Sequence, residues 1–253
     1  MSALGAAWAT ETRKAIASRV VLATAAITVL GIAAIVLGFA AAVLTGNADA
    51  VAKLGPEAAR PGWPGMLASA LQVCGAALQL GFGVLQSWIV GREFADGTVA
   101  GLFGLAVGRG LLVGVKIALG VMLSVATGAV LVVLLVGAGL LLGFGIPDGE
   151  ALGALGRLAV LVLLTALVAV PAALAATLGR GLLPGIAVAV VMLASAQVAV
   201  IAGAGPWYPV ATPALWALDP GAVPPVALAL PAALGLGCAA LTVVAWRRLQ
   251  LDR

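Results

Sequence analysis

The twenty residues 91–110, GREFADGTVAGLFGLAVGRG, carry four charged side chains, Arg92, Glu93, Asp96 and Arg109, in a chain that is only 9% charged. They lie between two long apolar runs, so they belong outside the hydrocarbon of a bilayer, where a charge is costly. A charged amphipathic element in that position suits contact with a soluble partner; the plainer reading is a surface helix that merely connects two spans. The second concentration of polar chemistry is a set of amides. Gln72, Gln79 and Gln86 are seven apart, which places them on one helix face over about 21 Å. An unpaired amide is costly in lipid, so this stripe should face protein or a water-filled path. A substrate conduit, a seam between two copies of the chain, and ordinary hydrogen bonding between helices all satisfy that requirement. Gln197 with Ser195, and Thr24 with Thr28, are weaker instances.

Other chemistry is missing. The chain has no histidine, which removes the commonest general base and metal ligand. Its three lysines, Lys14, Lys53 and Lys116, follow no glycine-rich phosphate-binding turn. Neither a nucleophile–base pair nor a metal cluster is visible, so the chain is expected to be no enzyme and to carry no metal or cofactor of its own. Cys74 and Cys238 sit inside apolar runs and read as small buried hydrophobes.

The elements that must position these groups are membrane spans. Apolar residues make up 64% of 253 and mean hydropathy is +1.24, whereas a soluble domain carries about 25% charged residues. Charge-free runs of about 20 residues or more mark spans at 20–44, 64–90, 111–144, 158–178, 182–204 and 222–246. An even number places both termini on one side. That side holds ten basic residues, Arg13, Lys14, Arg19, Arg92, Arg109, Lys116, Arg180, Arg247, Arg248 and Arg253; the other holds Lys53, Arg60 and Arg157. The positive-inside rule then makes both termini cytoplasmic, and no nucleic-acid site is needed to explain the net charge of +4. Trp8, Trp88 and Trp246 fall at the inner boundary and Trp63, Trp207 and Trp216 at the outer one, where indoles prefer to sit.

Three further features follow. Residues 1–19 read as an amphipathic helix on the inner membrane surface, with Leu4, Trp8, Ala15 and Ile16 on one side and Glu11, Arg13 and Lys14 offering charge elsewhere; a plain cytoplasmic tail is the alternative. The third span is long, and Lys116 in its first turns should project to the cytoplasm or snorkel. Residues 205–221, with four prolines, two tryptophans and Asp219, are too apolar for a solvated loop and too broken for a span. They are expected to form a re-entrant or interfacial outer segment, or else a lipid-skimming loop.

The 91–116 region resembles that of the permease subunits of type 2 ABC exporters, in which the second span is followed by a glutamate, a Gly-Thr pair, a short helix, a turn ending in arginine, and a lysine opening the third span. The matching residues are Glu93, Gly97, Thr98, Arg109 and Lys116. Ala106 and Gly108 depart from the proline and serine usual in that turn. Size, six spans, the basic N-terminal helix and the apolar segment before the last span extend the resemblance over nearly the whole chain.

The resemblance implies an all-α permease of the bacterial cytoplasmic membrane with a coupling helix over 93–105 in the 91–109 region. This helix would dock on a separate ATPase that binds ATP and Mg. Leu102, Phe103 and Leu105 would serve as its apolar anchor, Glu93 and Asp96 would favour its start, and Arg92 and Arg109 would bracket it. Two permeases, alike or different, would work with two ATPases. The family implies export of drugs or antimicrobial peptides, or immunity to them. A stand-alone secondary carrier and a non-transporting immunity component are the alternative classes.

Overall fold

A computed structural model describes residues 2–47, 52, 55–104 and 107–250. Lys53, Leu105, Ala106 and Arg253, and the side chain of Phe103, lie outside the described part. Where no water can satisfy backbone groups, an apolar chain must bond its own amides, and the described residues accordingly form helices and short turns with no strand. The helices are α1 (Ala3–Ile16), α2 (Arg19–Leu44), α3 (Trp63–Ala95), α4 (Arg109–Leu141), α5 (Gly149–Val168), α6 (Pro171–Leu178), α7 (Leu182–Ile201), α8 (Thr212–Leu218) and α9 (Ala229–Arg247). Six stretches are long and apolar enough to cross a membrane, with α5 and α6 together making the fourth.

Local chemistry sets the boundaries. Ser18 breaks α1 from α2 and caps the latter, its Oγ accepting the Val21 amide at 3.3 Å and the Trp88 indole N–H at 3.1 Å. Asp148 caps α5 through the Ala151 amide at 2.8 Å. Two spans run past the limits expected from charge. The second continues to Ala95 because Glu93 finds cationic partners inside the protein. The fourth begins at Gly149 instead of 158 because Glu150 pairs with Arg60 at 2.8 Å and Arg157 Nε donates to the Ala217 carbonyl at 3.1 Å.

The α3 span lies at the centre. Its apolar window is 61% buried, against 17% for α7 and 22% for the last span, which face outward. A large core joins α2, α3, α4 and α5 around Leu78, Phe82, Leu131 and Leu158. A smaller one, around Val90, Val113, Val170 and Trp246, fills the end of the bundle that carries both chain ends. Bare apolar side chains such as Ile27, Val133 and Ile201, at 72%, 72% and 86% exposure, form a surface suited to lipid. Two of the indoles expected at a membrane boundary are enclosed by protein. Trp63 and Trp246 are buried in protein, donating to the Gly145 carbonyl at 3.1 Å and to Thr177 Oγ1 at 3.0 Å. A tryptophan near a bilayer boundary satisfies its N–H equally well in a protein partner. Cys74 is buried and both cysteines are free.

Pro171 kinks the fourth span. It has no amide to offer the Leu167 carbonyl, four residues back. Gly235 of α9 packs onto that same carbonyl, so that a Cβ there would come within 2.6 Å of the oxygen. Gly235→Leu is expected to cost about 1–3 kcal/mol through overpacking, read as a lower unfolding midpoint in detergent. Gly237→Leu, whose Cβ would meet nothing within 4 Å, should leave the midpoint unchanged.

The segment 205–221 is a short helix, α8, between 3-10 turns at Gly205–Trp207 and Pro220–Ala222. Thr212 pins it by donating to the Tyr208 carbonyl at 2.8 Å. It packs against α3 and α5, with Thr212 and Ala217 fully buried.

Candidate functional site

Four side chains from three helices meet at the end of the bundle that carries both chain ends. Lys116 of α4 is fully buried. Its Nζ lies 2.5 Å from Glu11 Oε2 of α1 and 2.7 Å from Glu93 Oε1 of α3. Lys14 closes the group, 2.9 Å from Glu11 and 3.3 Å from Glu93. Two carboxylates face two ammonium groups, so the cluster is neutral. Among the described residues no group of three or more His, Cys, Asp and Glu is placed to hold a metal ion. Burial opposes the charge on Lys14, but the hydrogen bond and charge of Glu11, with the charge of Glu93, outweigh it and raise its pKa above the ordinary lysine value. The arrangement joins α1, α3 and α4 through contacts that are costly to break once dehydrated.

This placement corrects two expectations. Lys116 neither snorkels nor projects; it is the centre of the cluster. Glu11 does not offer its charge to water either. The face of α1 that closes on the bundle is Ala7, Glu11 and Ala15, one helical turn apart, while Leu4 and Ile16 are exposed. Glu11 and Lys14 are the residues of this cluster that sequence reasoning did not place at a site. For Glu11 a local signal exists, an acid flanked by alanines four residues to either side.

The segment after α3 hangs from the cluster. Thr98 Oγ1 donates to Glu93 Oε2 at 2.6 Å. Gly97, at φ +67, turns the chain where a side chain would be strained, and Asp96 stands exposed beside it. Arg92 lies 3.9 Å from Asp96 and 5.9 Å over the Trp88 ring. Instead of a helix spanning 93–105, the chain makes a 3-10 turn over Thr98–Gly104, because Glu93 still belongs to α3. Leu102 is buried as part of the smaller core that also holds Ala7, Val90 and Trp246, so in this arrangement its side chain braces the turn from within. Arg109, at the start of α4, donates to the Leu249 and Arg247 carbonyls and ties this region to the end of the last span.

The glutamine stripe divides. Gln72 and Gln79 of α3 and Gln197 of α7 line one groove of about 180 Å³ beneath α8. The Gln79 amide nitrogen is buried there without a partner. Gln72 also borders a neighbouring cavity of about 300 Å³ whose mouth carries Glu57, Arg60, Glu150 and Arg157. Gln86 turns elsewhere. Its amide lies against Gly120 of α4, where a Cβ would fall 2.6 Å from its oxygen, and it is fully buried within the protomer. Ser195, near Gln197 in sequence, bonds Tyr208 at 2.7 Å.

A bundle with six membrane-crossing stretches, its buried charges gathered at one end, defines a multi-pass membrane protein. Residues 9–195, most of the chain, match the family described as ABC-2 family transporter protein. The chain belongs to that family, and is thereby a membrane transport component that works with ABC ATPase components. No curated protein and no solved structure matches the chain.

Proposed function

We propose that this chain is the permease of an ATP-driven exporter that moves an amphipathic substrate, a drug or antimicrobial peptide, outward across a bacterial cytoplasmic membrane. Both termini face the cytoplasm, in line with the basic residues gathered on their side. Two permease copies, or this chain and a related one, work with two ATPases that bind ATP and Mg. The observation that carries this reading is the buried cluster of Glu11, Lys14, Glu93 and Lys116. The turn 98–104 presents Asp96, Gly97, Thr98 and its own exposed backbone to the ATPase. A push on that turn reaches Glu93 through Thr98, then α4 through Lys116 and α1 through Glu11. Interfaces of this kind switch between discrete arrangements rather than deform continuously. Helix α1 lies along the inner surface, and α8 re-enters from the outer side above the groove of Gln72, Gln79 and Gln197. That groove, apolar with a few amides, suits an amphipathic substrate.

The test is a gentle purification of tagged protein from its native membranes, with co-purifying chains assayed for ATP hydrolysis. A stoichiometric ATPase is expected. Asp96→Lys reverses an exposed charge on the docking face and should cut ATPase recovery about tenfold, the scale of one lost charged contact, with membrane insertion and unfolding midpoint unchanged. Recovery of the protein alone, with transport driven by an ion gradient, would overturn the reading.

A further inference from the structure

A groove of about 360 Å³ opens between α1, α4 and α9 at the end of the bundle that carries both chain ends. Its floor is α4, where Gly110, Gly114 and Ala118 follow one another at single-turn spacing and run about 12 Å into the span. A Cβ on Gly114 would meet nothing within 4 Å, so this floor is open to lipid. Leu4 and Trp8 of α1 form one wall. At the mouth stands Arg247, the last residue of α9. Its side chain crosses Gly110 so closely that a Cβ there would lie 2.7 Å from the Arg247 Nε.

Arg247 has no acidic partner among the described residues, although acids lie nearby. Glu11 and Glu93 are already engaged by Lys14 and Lys116. The neighbouring Arg109 is committed to the Leu249 and Arg247 carbonyls. The groove therefore couples a long apolar trough to one uncommitted cation and an indole at its mouth. A chain-bearing anion has that pattern of charge and apolar surface.

We propose that this groove is a binding site for an anionic phospholipid of the inner leaflet, with one acyl chain along Gly110, Gly114 and Ala118 and the phosphate on Arg247. The lipid completes the contact between the N-terminal helix and the last span, which the protein leaves open on that side. Its depth in the leaflet rests on the orientation proposed above, but binding is read on purified protein, so its failure would leave the coupling reading untouched.

The test is native mass spectrometry of the purified chain in neutral detergent, titrated with dioleoylphosphatidylglycerol or dioleoylphosphatidylcholine. The anionic lipid should bind about fivefold better, the worth of one basic side chain against an anionic headgroup. Arg247→Gln should abolish that preference, while Arg248→Gln leaves it intact. Gly114→Leu, whose Cβ would meet nothing within 4 Å, fills the trough and should lower retention of both lipids, with the unfolding midpoint unchanged. Equal retention of both lipids by the unaltered chain, or a preference that survives Arg247→Gln, would overturn the proposal. So would rapid disulfide formation between two Gly114→Cys chains in native membranes, because a second copy would then cover the groove.

Discussion

Lys116→Met is expected to destabilise the protein by about 3–5 kcal/mol, the cost of removing one partner from a buried ion group. Lys116 is fully buried, and Glu11 and Glu93 both lie within 2.7 Å of its ammonium. Without it the two carboxylates keep Lys14 as their cationic partner, which is partly exposed and reaches Glu93 at 3.3 Å, and Glu93 keeps the Thr98 hydroxyl. The unfolding midpoint in detergent should fall, and amide exchange should rise first in Ala3–Ile16 and in the turn Thr98–Gly104. A triple variant separates stability from coupling. Lys116→Met with Glu11→Leu and Glu93→Leu replaces most of the cluster by apolar groups, a change that is often neutral or stabilising. It should recover the midpoint and still fail to transport, because the charged link between turn and span is gone. Full transport by the triple variant would make the cluster a structural feature only.

Trp246→Ala should cost about 3–5 kcal/mol, the range for deleting a buried aromatic. The side chain is fully buried, its indole donates to Thr177 Oγ1 at 3.0 Å, and its ring meets Phe94 edge-on at 5.7 Å. It thus joins the last span to α6 and to the end of α3, directly beside Glu93. Trp246→Phe keeps most of the packing and loses about 0.5–1.5 kcal/mol with the hydrogen bond; Thr177 stays satisfied by donating to the Ala173 carbonyl at 2.9 Å. Trp207→Ala, at a residue 58% exposed, should stay within about 0.5 kcal/mol in detergent. A large loss there and a small one at Trp246 would reverse the assignment of buried and boundary indoles.

Most of the architecture was legible from the chain. Apolar runs of the sequence coincide with the six stretches that, among the described residues, are helical, long and apolar enough to cross a membrane, because hydrocarbon selects length and composition directly. The misplaced ends carry charges. Glu93 and Arg157 look like boundary residues in one dimension and prove to be parts of helices whose charges are met by Lys116 and by the Ala217 carbonyl. The surroundings of the tryptophans were not legible, since proximity to a span end does not say whether a ring meets lipid or protein: Trp63 and Trp246 are buried in protein, while Trp207 is exposed.

The candidate site was read in part. Glu93, Gly97, Thr98, Arg109 and Lys116 were singled out by the resemblance to a family motif, and of these Glu93 bonds both Thr98 and Lys116. Glu11 and Lys14 were not: the alanines around Glu11 mark a face that packs, but its partner Lys116 lies 105 residues away and no local pattern names it.

Composition, the even span count and the clustering of basic residues are summed or local properties. They decide that this is a multi-pass membrane chain with most of its basic residues on one side, whatever the helices do next. Which neighbour each helix face meets is a different matter. The seven-residue spacing puts three glutamines on one side of α3, but that side passes α7 and α8 at one height and α4 at another. Packing therefore sends Gln72 and Gln79 to an open groove and Gln86 to the interior against Gly120. The same holds for Leu102, turned inward, and for Arg247, left without an acid among the described residues. A helix's period determines the direction of its side chains; only tertiary packing supplies what stands opposite them.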